Sequence, residues 1–158
     1  MGISFRYAEW EDVDRLLEMM RELYAHDRTP FDEARSRKGT YELISSMDSA
    51  ITDLGRIWLI LLGEEIAGYV VLTFGFSLEY GGMHGFIDEL FVREPFRGQG
   101  AGSLAVEHVS AMCRHLGMST LLLEVDLENP RAHALYQRLG FREHGRRLMS
   151  RKIGEALQ

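Results

Sequence analysis

A strand, a glycine-rich seam and a helix follow one another between residues 85 and 112, and this order constrains the fold more than any other feature. Residues 86–92, FIDELFV, have the apolar and aromatic character of a strand. Residues 100–116 place apolar side chains on one side of a predicted helix. The seam between them reads Arg97-Gly98-Gln99-Gly100-Ala101-Gly102. Because one glycine would suffice for a tight turn, three alternating glycines beside an arginine indicate a binding loop.

The seam has the chemistry of a phosphate site. A helix N-terminus leaves backbone N–H groups unpaired and carries a partial positive charge. Glycines allow an anion to approach those N–H groups closely, since they have no Cβ. Arg97 adds a cation and a fork of donors. Consecutive N–H groups that point the same way suit a pyrophosphate.

Two common phosphate-binding motifs fit the seam less well. The P-loop motif requires Lys-Ser or Lys-Thr after the glycines, and neither occurs here. The dinucleotide motif G-x-G-x-x-G is almost met at Gly98, Gly100 and Ser103, with Glu124 at a suitable distance to contact a ribose. That motif normally opens the first βαβ unit of a larger parallel sheet, whereas the seam lies past the middle of the chain. A dinucleotide-binding oxidoreductase is therefore the weaker interpretation.

The order of predicted elements is β-α-α-β-β-β-α-β-α-β, which indicates a mixed sheet. Three consecutive strands predict an antiparallel half, and the later strand–helix–strand unit predicts a parallel pair. The apolar run at 119–127 predicts a strand that is covered on both faces. The sequence therefore predicts an α/β fold in a single domain over residues 1–158. The predicted strands are residues 3–8, 56–62, 66–76, 86–92, 119–127 and 141–153, and the predicted helices are residues 10–25, 31–48, 100–116 and 130–139.

Charge and cysteine content exclude several classes of protein. The net charge of −6 argues against a nucleic-acid binder and is compatible with cationic small partners. The single cysteine, Cys113, excludes an internal disulfide and is interpreted as a core residue rather than a nucleophile. No signal-peptide pattern, no apolar run long enough to span a bilayer and no metal-ligand spacing is found. We expect a cytoplasmic protein without a metal, a nucleic-acid partner or a membrane partner.

Two motifs at a suitable separation carry a family resemblance. Arg97 through Gly102 matches the signature R/Q-x-x-G-x-G/A. Residues 128–141 are similar to N-x-x-A-x-x-L-Y-x-x-x-G-F, with matches at Asn129, Ala132, Leu135, Tyr136, Gly140 and Phe141. Together with the order of strands and helices over nearly the whole chain, these motifs resemble the GNAT superfamily of N-acetyltransferases. The resemblance implies a strongly twisted mixed sheet, flanked by helices, whose two central parallel strands splay apart.

The resemblance also implies a site for acetyl-CoA between residues 86–92 and 119–126. The pyrophosphate would bind the N–H groups of the seam, and the pantetheine arm would pair with the backbone of the first strand. Family members commonly have a bulge in that strand, which aims an N–H group at the thioester oxygen. The residues implied to bind acetyl-CoA are Leu90, Phe91, Val92, Arg97, Gly98, Gln99, Gly100, Ala101, Gly102, Ser103, Asn129, Ala132 and Tyr136.

Acetyl transfer to an amine needs both a base and an acid. The acceptor starts as an ammonium ion with a pKa of about 10 and must lose a proton to a base. The CoA thiolate leaves better when an acid protonates it. The resemblance implies that Tyr136 is that acid. The alternative is that Tyr136 is a core residue on the apolar face of its helix.

Three carboxylates are candidates for the base: Asp88, Glu89 and Glu124. Strand alternation predicts that Asp88 and Glu89 point to opposite faces, so that only one of them enters any given pocket. Polyamine acetyltransferases of the superfamily carry an acidic pair in the same register, and their first acid matches Asp88. We therefore favour Asp88 as the base, acting directly or through a water, with Glu89 second and able to bind a cationic amine.

The acceptor is the least determined part of the prediction. We expect residues 24–33 and the turn at 77–85 to line its site. Several acidic side chains there favour a polyamine or another small cationic amine as the acceptor. The polar residues expected to line the site are Asp27, Asp32, Glu33, Glu79 and Tyr80. Alternatives are a protein N-terminus or lysine and an aminoglycoside. From a different class, a non-catalytic acyl-CoA-binding sensor on the same fold stays open. By analogy with the family, we expect a homodimer.

Overall fold

The structure of the chain, a computed structural model, describes residues 2–47 and 49–154. It divides into two compact units, one up to Glu124 and one from Val125; the single domain over residues 1–158 stays a prediction. No helix in the described ranges is long and apolar enough to cross a membrane. The strands are β1 (Ile3–Tyr7), β2 (Gly55–Leu62), β3 (Glu65–Ser77), β4 (Gly82–Val92) and β5 (Leu121–Leu123), and the helices are α1 (Val13–His26), α2 (Glu33–Ser46), α3 (Ala101–His115) and α4 (Pro130–Arg138).

The first unit is built on a five-stranded sheet in the order β1-β2-β3-β4-β5. The first three pairings are antiparallel and the pairing of β4 with β5 is parallel. Parallel neighbours need a crossover connection, and α3 lies in it. The mixed α/β sheet predicted from the sequence is therefore confirmed. The predicted hairpin is confirmed as well, since Gly63, with a φ of 63°, and Glu64 form the turn between β2 and β3.

Helices cover both faces of this sheet. On one face, Leu59, Tyr69 and Phe91 form a buried cluster with side chains of α1 and α2. On the other face, a Cβ added to Gly85 would lie 2.6 Å from the sulfur of Cys113 on α3. Only glycine at position 85 therefore permits the close approach of α3 to β4. Cys113 is buried, as predicted, and its burial raises the pKa of the thiol.

Two strand predictions near the C-terminus are wrong. The strand predicted at 119–127 is limited to Leu121–Leu123 and is half-buried, because β5 pairs with β4 alone among the described residues. Beyond it, the Asp126 carboxylate accepts a hydrogen bond from the Glu128 N–H at 2.9 Å, which forms a turn instead of a strand. Residues 141–153 form no strand. Their polar run and Gly145 have low β-propensity, and the segment has no strand partner within the described chain.

Candidate active site

The seam places six consecutive backbone N–H groups at the start of α3. Gly98 and Gly100 have φ angles of 76° and 84°, in the left-handed region that favours glycine. A Cβ added to either glycine would contact no atom within 4 Å, so the surface beside them is open. No N–H group from Gly98 to Ser103 donates a hydrogen bond to another described residue. With the dipole of the 15-residue α3 behind them, these groups have the arrangement and partial charge that suit an anion.

Arg97 lies against the end of β4. Its Nε donates a hydrogen bond to the Val92 carbonyl at 2.8 Å, and its guanidinium carbon lies 5.6 Å from the centre of the Phe91 ring. The terminal nitrogens of the guanidinium make no hydrogen bond within the described ranges. The positive charge of Arg97 is therefore held where β4 meets the seam.

The edge of β4 that faces β5 is open beyond Ile87. Pairing between the two strands ends at Ile87 and Leu123, whereas β4 continues to Val92. Residues 88–92 therefore have no strand partner on that side among the described residues. Such an edge accepts an extended ligand as an added strand. It contains Leu90, Phe91 and Val92, the residues predicted to lie beside the pantetheine arm.

A β-bulge lies in β4 at Asp88. Val71 of β3 pairs with Glu89 and Leu72 pairs with Ile87, so that Asp88 has no partner in the ladder. A bulge inserts one residue and locally breaks the alternation of side chains between the two faces. The structure therefore has, in this strand, the bulge that the family resemblance implies.

A cleft of about 410 Å³ opens between α1, α2 and the sheet. Asp88 and Glu89 both line it, so the prediction that only one of them enters a given pocket is wrong, and the bulge is the reason. Glu124, the third candidate base, does not line the cleft. The lining residues are Met20, Tyr24, Ser36, Gly39, Thr40, Glu42, Leu43, Leu54, Ile57, Val71, Thr73, Phe74, Asp88 and Glu89.

The cleft is acidic and its two strand carboxylates are partly desolvated. Three of its lining residues carry carboxylates, namely Glu42, Asp88 and Glu89, and none is a lysine, arginine or histidine. Burial of the carboxyl group raises the pKa of Asp88 above its ordinary value, although the residue as a whole is exposed. Burial also raises the pKa of Glu89, and hydrogen bonds from Tyr24 and Tyr69 partly oppose that shift. A desolvated carboxylate is a stronger base and favours a cationic neighbour.

The acids expected to line the acceptor site are not among the residues that line this cleft. Asp32 caps α2, accepting a hydrogen bond from the Arg35 N–H at 3.0 Å. Glu33 pairs with Arg21 and Arg37 on the exposed surface. Together with Asp27, Glu79 and Tyr80, these side chains do not line the cleft. The sequence did not predict that side chains of α2 line the cleft or that Tyr69 donates a hydrogen bond to Glu89. No local pattern in a sequence reports which side chains meet across the fold.

Many residues of the motif at 128–141 have a local structural role within the second unit. Asn129 caps α4, where its Oδ1 accepts a hydrogen bond from the Ala132 N–H at 3.1 Å, and Pro130 occupies the first turn. The helix ends at Arg138; Gly140, with a φ of 91°, follows it, and the Phe141 N–H donates to the Tyr136 carbonyl at 3.0 Å. These interactions fix the start and the end of α4. The binding roles of Asn129 and Ala132 stay predictions.

Tyr136 has a defined ring orientation within this unit. Its ring packs edge-on against Phe141, with 5.8 Å between the ring centres. The contact joins the last turn of α4 to the residue after Gly140, as helix ends of this kind often do. Tyr136 is half-buried, which suits either a core residue or an acid at the edge of a site. Its catalytic role stays a prediction.

Comparison with known proteins identifies relatives over most of the chain. Residues 17–141 match the profile of the acetyltransferase (GNAT) family. The aminoalkylphosphonate N-acetyltransferase of Salmonella typhimurium is 31% identical over 140 residues, which are 89% of this chain and 85% of that protein. An integron cassette protein from the Cole Harbour Salt Marsh metagenome is 38% identical, with a TM-score of 0.81 over 96% of this chain and 91% of that chain. A structure from Clostridium acetobutylicum, described as a predicted acetyltransferase with acetyl-CoA, has a TM-score of 0.79 at 12% identity, covering 95% and 96% of the two chains.

Proposed function

The chain belongs to the GNAT family of acetyltransferases, and from that premise we propose that it transfers the acetyl group of acetyl-CoA directly to a small cationic primary amine such as a polyamine. The reaction takes place in a ternary complex, without an acetylated enzyme intermediate. Cys113 is buried and its thiol pKa is raised, which agrees with that absence of a covalent step. By analogy with the family, we also propose that the protein is a homodimer. A cytoplasmic location is proposed as well, and a single buried thiol is compatible with it.

The position of Asp88 is the observation that carries the proposal. Asp88 lies at the bulge, where the wall of the acidic cleft meets the open edge of β4. A donor bound along that edge and an acceptor bound in the cleft would therefore meet at one residue. Such proximity is what direct transfer between two bound substrates requires.

Each part of the site has a distinct proposed role. The unpaired N–H groups from Gly98 to Ser103 bind the pyrophosphate of acetyl-CoA, with Arg97 beside them. Residues 90–92 of the β4 edge bind the pantetheine arm as an added strand. The N–H of Asp88, which the bulge leaves out of the ladder, donates to the thioester oxygen. The Asp88 carboxylate takes a proton from the acceptor ammonium, directly or through a water.

The charge of the cleft supports a cationic acceptor. A second positive charge on the acceptor is favoured by three lining carboxylates, and an acidic group on the acceptor would meet no basic lining residue. The Salmonella relative is named for acceptors that carry a phosphonate. We therefore expect this chain to differ from that relative in its acceptor.

A matched pair of acceptors tests this proposal. 1,4-Diaminobutane and 4-aminobutyrate have the same chain length and differ in whether the far end is positive or negative. We expect kcat/KM for the diamine to be at least about tenfold higher, which corresponds to about 1.4 kcal/mol. The measurement is CoA release from acetyl-CoA, with spermidine, an aminoglycoside, an aminoalkylphosphonate and a lysine peptide in the same panel.

The outcomes of this panel separate the alternatives. A preference for 4-aminobutyrate or the aminoalkylphosphonate would contradict a cationic acceptor. Fast turnover of the peptide or the aminoglycoside alone would move the acceptor to those classes. Binding of acetyl-CoA without turnover of any amine would favour the acyl-CoA sensor.

Replacement of Tyr136 by Phe tests the proposed acid. Tyr136→Phe removes the phenolic hydroxyl group and keeps a ring that can pack on Phe141. Because a thiol of pKa about 8.5 is a fair leaving group without protonation, we expect kcat to fall only about tenfold, at the low end for acid–base catalysis. The KM for acetyl-CoA should stay within about twofold of the wild-type value. An unchanged kcat would remove Tyr136 from the acid role.

A further inference from the structure

Two tyrosines, one buried and one half-buried, each donate a hydrogen bond to the carboxylate of Glu89. The phenol of Tyr24 on α1 donates to Oε2 of Glu89 at 2.7 Å, and the phenol of Tyr69 on β3 donates to Oε1 at 2.9 Å. Tyr69 is completely buried and Glu89 is half-buried. Each oxygen of the carboxylate thus has one fixed donor, and a carboxylate has roughly four acceptor positions in total. About two positions therefore have no side-chain donor among the described residues, and Glu89 lines the cleft.

No cationic side chain within the described ranges neutralises the carboxylate of Glu89. No lysine, arginine or histidine forms an ion pair with it there. The titratable groups that act on Glu89 are the two phenols and two further carboxylates, Asp88 and Asp27. Buried carboxylates are ordinarily paired with a cation, because desolvation of an isolated charge is costly. Glu89 is therefore an anionic group that a cationic ligand would complement.

The two phenols favour the ionised form of this carboxylate. Hydrogen bonds from Tyr24 and Tyr69 lower the pKa of Glu89, against burial and the neighbouring acids, which raise it. Burial and the negative charge of Glu89 raise the pKa of both phenols, so that they stay protonated donors. Two neutral donors thus favour a negative charge at this position without cancelling it.

We propose that Glu89 binds the ammonium group of the acceptor amine and that Tyr24 and Tyr69 are positioning residues that hold its carboxylate for that contact. This inference rests on the proposed function for the identity of the ligand as an acceptor. It divides the acidic pair by role: Asp88, at the bulge and without a hydrogen-bond donor among the described residues, handles the proton, and Glu89 supplies affinity. The expected signature is a change in amine binding without a change in acetyl-CoA binding.

Tyr24→Phe and Tyr69→Phe test the positioning role, because each removes one oxygen and keeps the ring. We expect either variant to raise the KM for spermidine about fivefold to tenfold, with kcat and the KM for acetyl-CoA within about twofold of wild type. Loss of a donor makes Glu89 easier to protonate. The acid limb of kcat/KM for spermidine should therefore move to higher pH in both variants. Tyr7→Phe is the matched control, since Tyr7 lies on β1, outside the cleft.

A binding measurement keeps this test independent of turnover. Spermidine is titrated by calorimetry into the protein saturated with CoA, between pH 5 and 8 (about the range in which a raised carboxyl pKa has its effect). The proposal predicts weaker spermidine binding in Tyr24→Phe and Tyr69→Phe and still weaker binding in Glu89→Gln. Spermidine binding that is absent in the wild type, or unchanged in the variants, would overturn it. Wild-type binding with the predicted losses but without turnover would contradict the proposed function alone. If Tyr69→Phe fails to fold, Tyr24→Phe decides, because Tyr24 is only half-buried.

Discussion

Gly100→Asp is expected to weaken acetyl-CoA binding about 100-fold or more. Gly100 has a φ of 84° and lies among six N–H groups that have no acceptor in the described chain. An aspartate there places a side chain and a negative charge where the pyrophosphate would bind. The loss would correspond to about 2.7 kcal/mol of binding free energy. The measurement is the dissociation constant of acetyl-CoA by calorimetry.

Gly117→Asp separates this loss from damage to the fold. Gly117 follows the other end of α3 and has a φ of 78°, so an aspartate there suffers similar backbone strain of about 1–2 kcal/mol. Its negative charge also opposes the helix dipole at that end. We expect the melting temperature to fall at least as far in Gly117→Asp, while acetyl-CoA binding stays near wild type. Equal affinities in the two variants would mean that the seam is only a turn.

Asp88→Asn is expected to lower kcat at neutral pH by about 100-fold or more. An acceptor amine with a pKa of about 10.4 is almost entirely protonated at pH 7, so removal of the base leaves little reactive amine. As pH rises toward the pKa of the amine, the rate of the variant should rise about tenfold per pH unit. The rate of the wild type should stay level over the same range. The measurement is the pH profile of kcat from 6 to 10 for both proteins.

The melting temperature of Asp88→Asn shows whether a lower rate comes from loss of the base or from damage to the fold. Burial raises the pKa of Asp88, so the folded state binds a proton more tightly than the unfolded state and is penalised when Asp88 is ionised. We therefore expect Asp88→Asn to have a slightly higher melting temperature than wild type at pH 7, because solvent around this exposed residue screens most of the penalty. The difference should shrink as pH falls through the raised pKa toward the ordinary carboxyl value. Asp14→Asn, on a side chain that is 82% exposed, is expected to keep the wild-type rate. A rate in Asp88→Asn within threefold of wild type would assign the base elsewhere.

Local patterns in the sequence were enough to predict the parts of the site that depend on local backbone. The seam at 97–102 is predictable because alternating glycines before an apolar helical pattern have few other uses, and the structure gives Gly98 and Gly100 left-handed φ angles. The cap at Asn129 and the end of α4 shortly before Gly140 follow from similar local preferences. These features require only a few neighbouring residues.

Features that depend on pairing or on distant contacts were not predictable from local patterns. The bulge at Asp88 is a matter of register between β3 and β4, and it decides that both acids of the pair line one cleft. The contact of Tyr24 with Glu89 joins residues 65 positions apart. The apolar run at 119–127 favoured a long strand, but a strand forms only where another strand satisfies its backbone groups.

A crystal structure of the protein with acetyl-CoA tests the central proposal most directly. The proposal predicts diphosphate oxygens within about 2.7–3.2 Å of at least three backbone nitrogens between Gly98 and Ser103, and a pantetheine arm along residues 90–92. The thioester would then lie at Asp88. A diphosphate bound elsewhere, or a pantetheine arm that leaves the β4 edge unpaired, would contradict the assignment of donor site and base together.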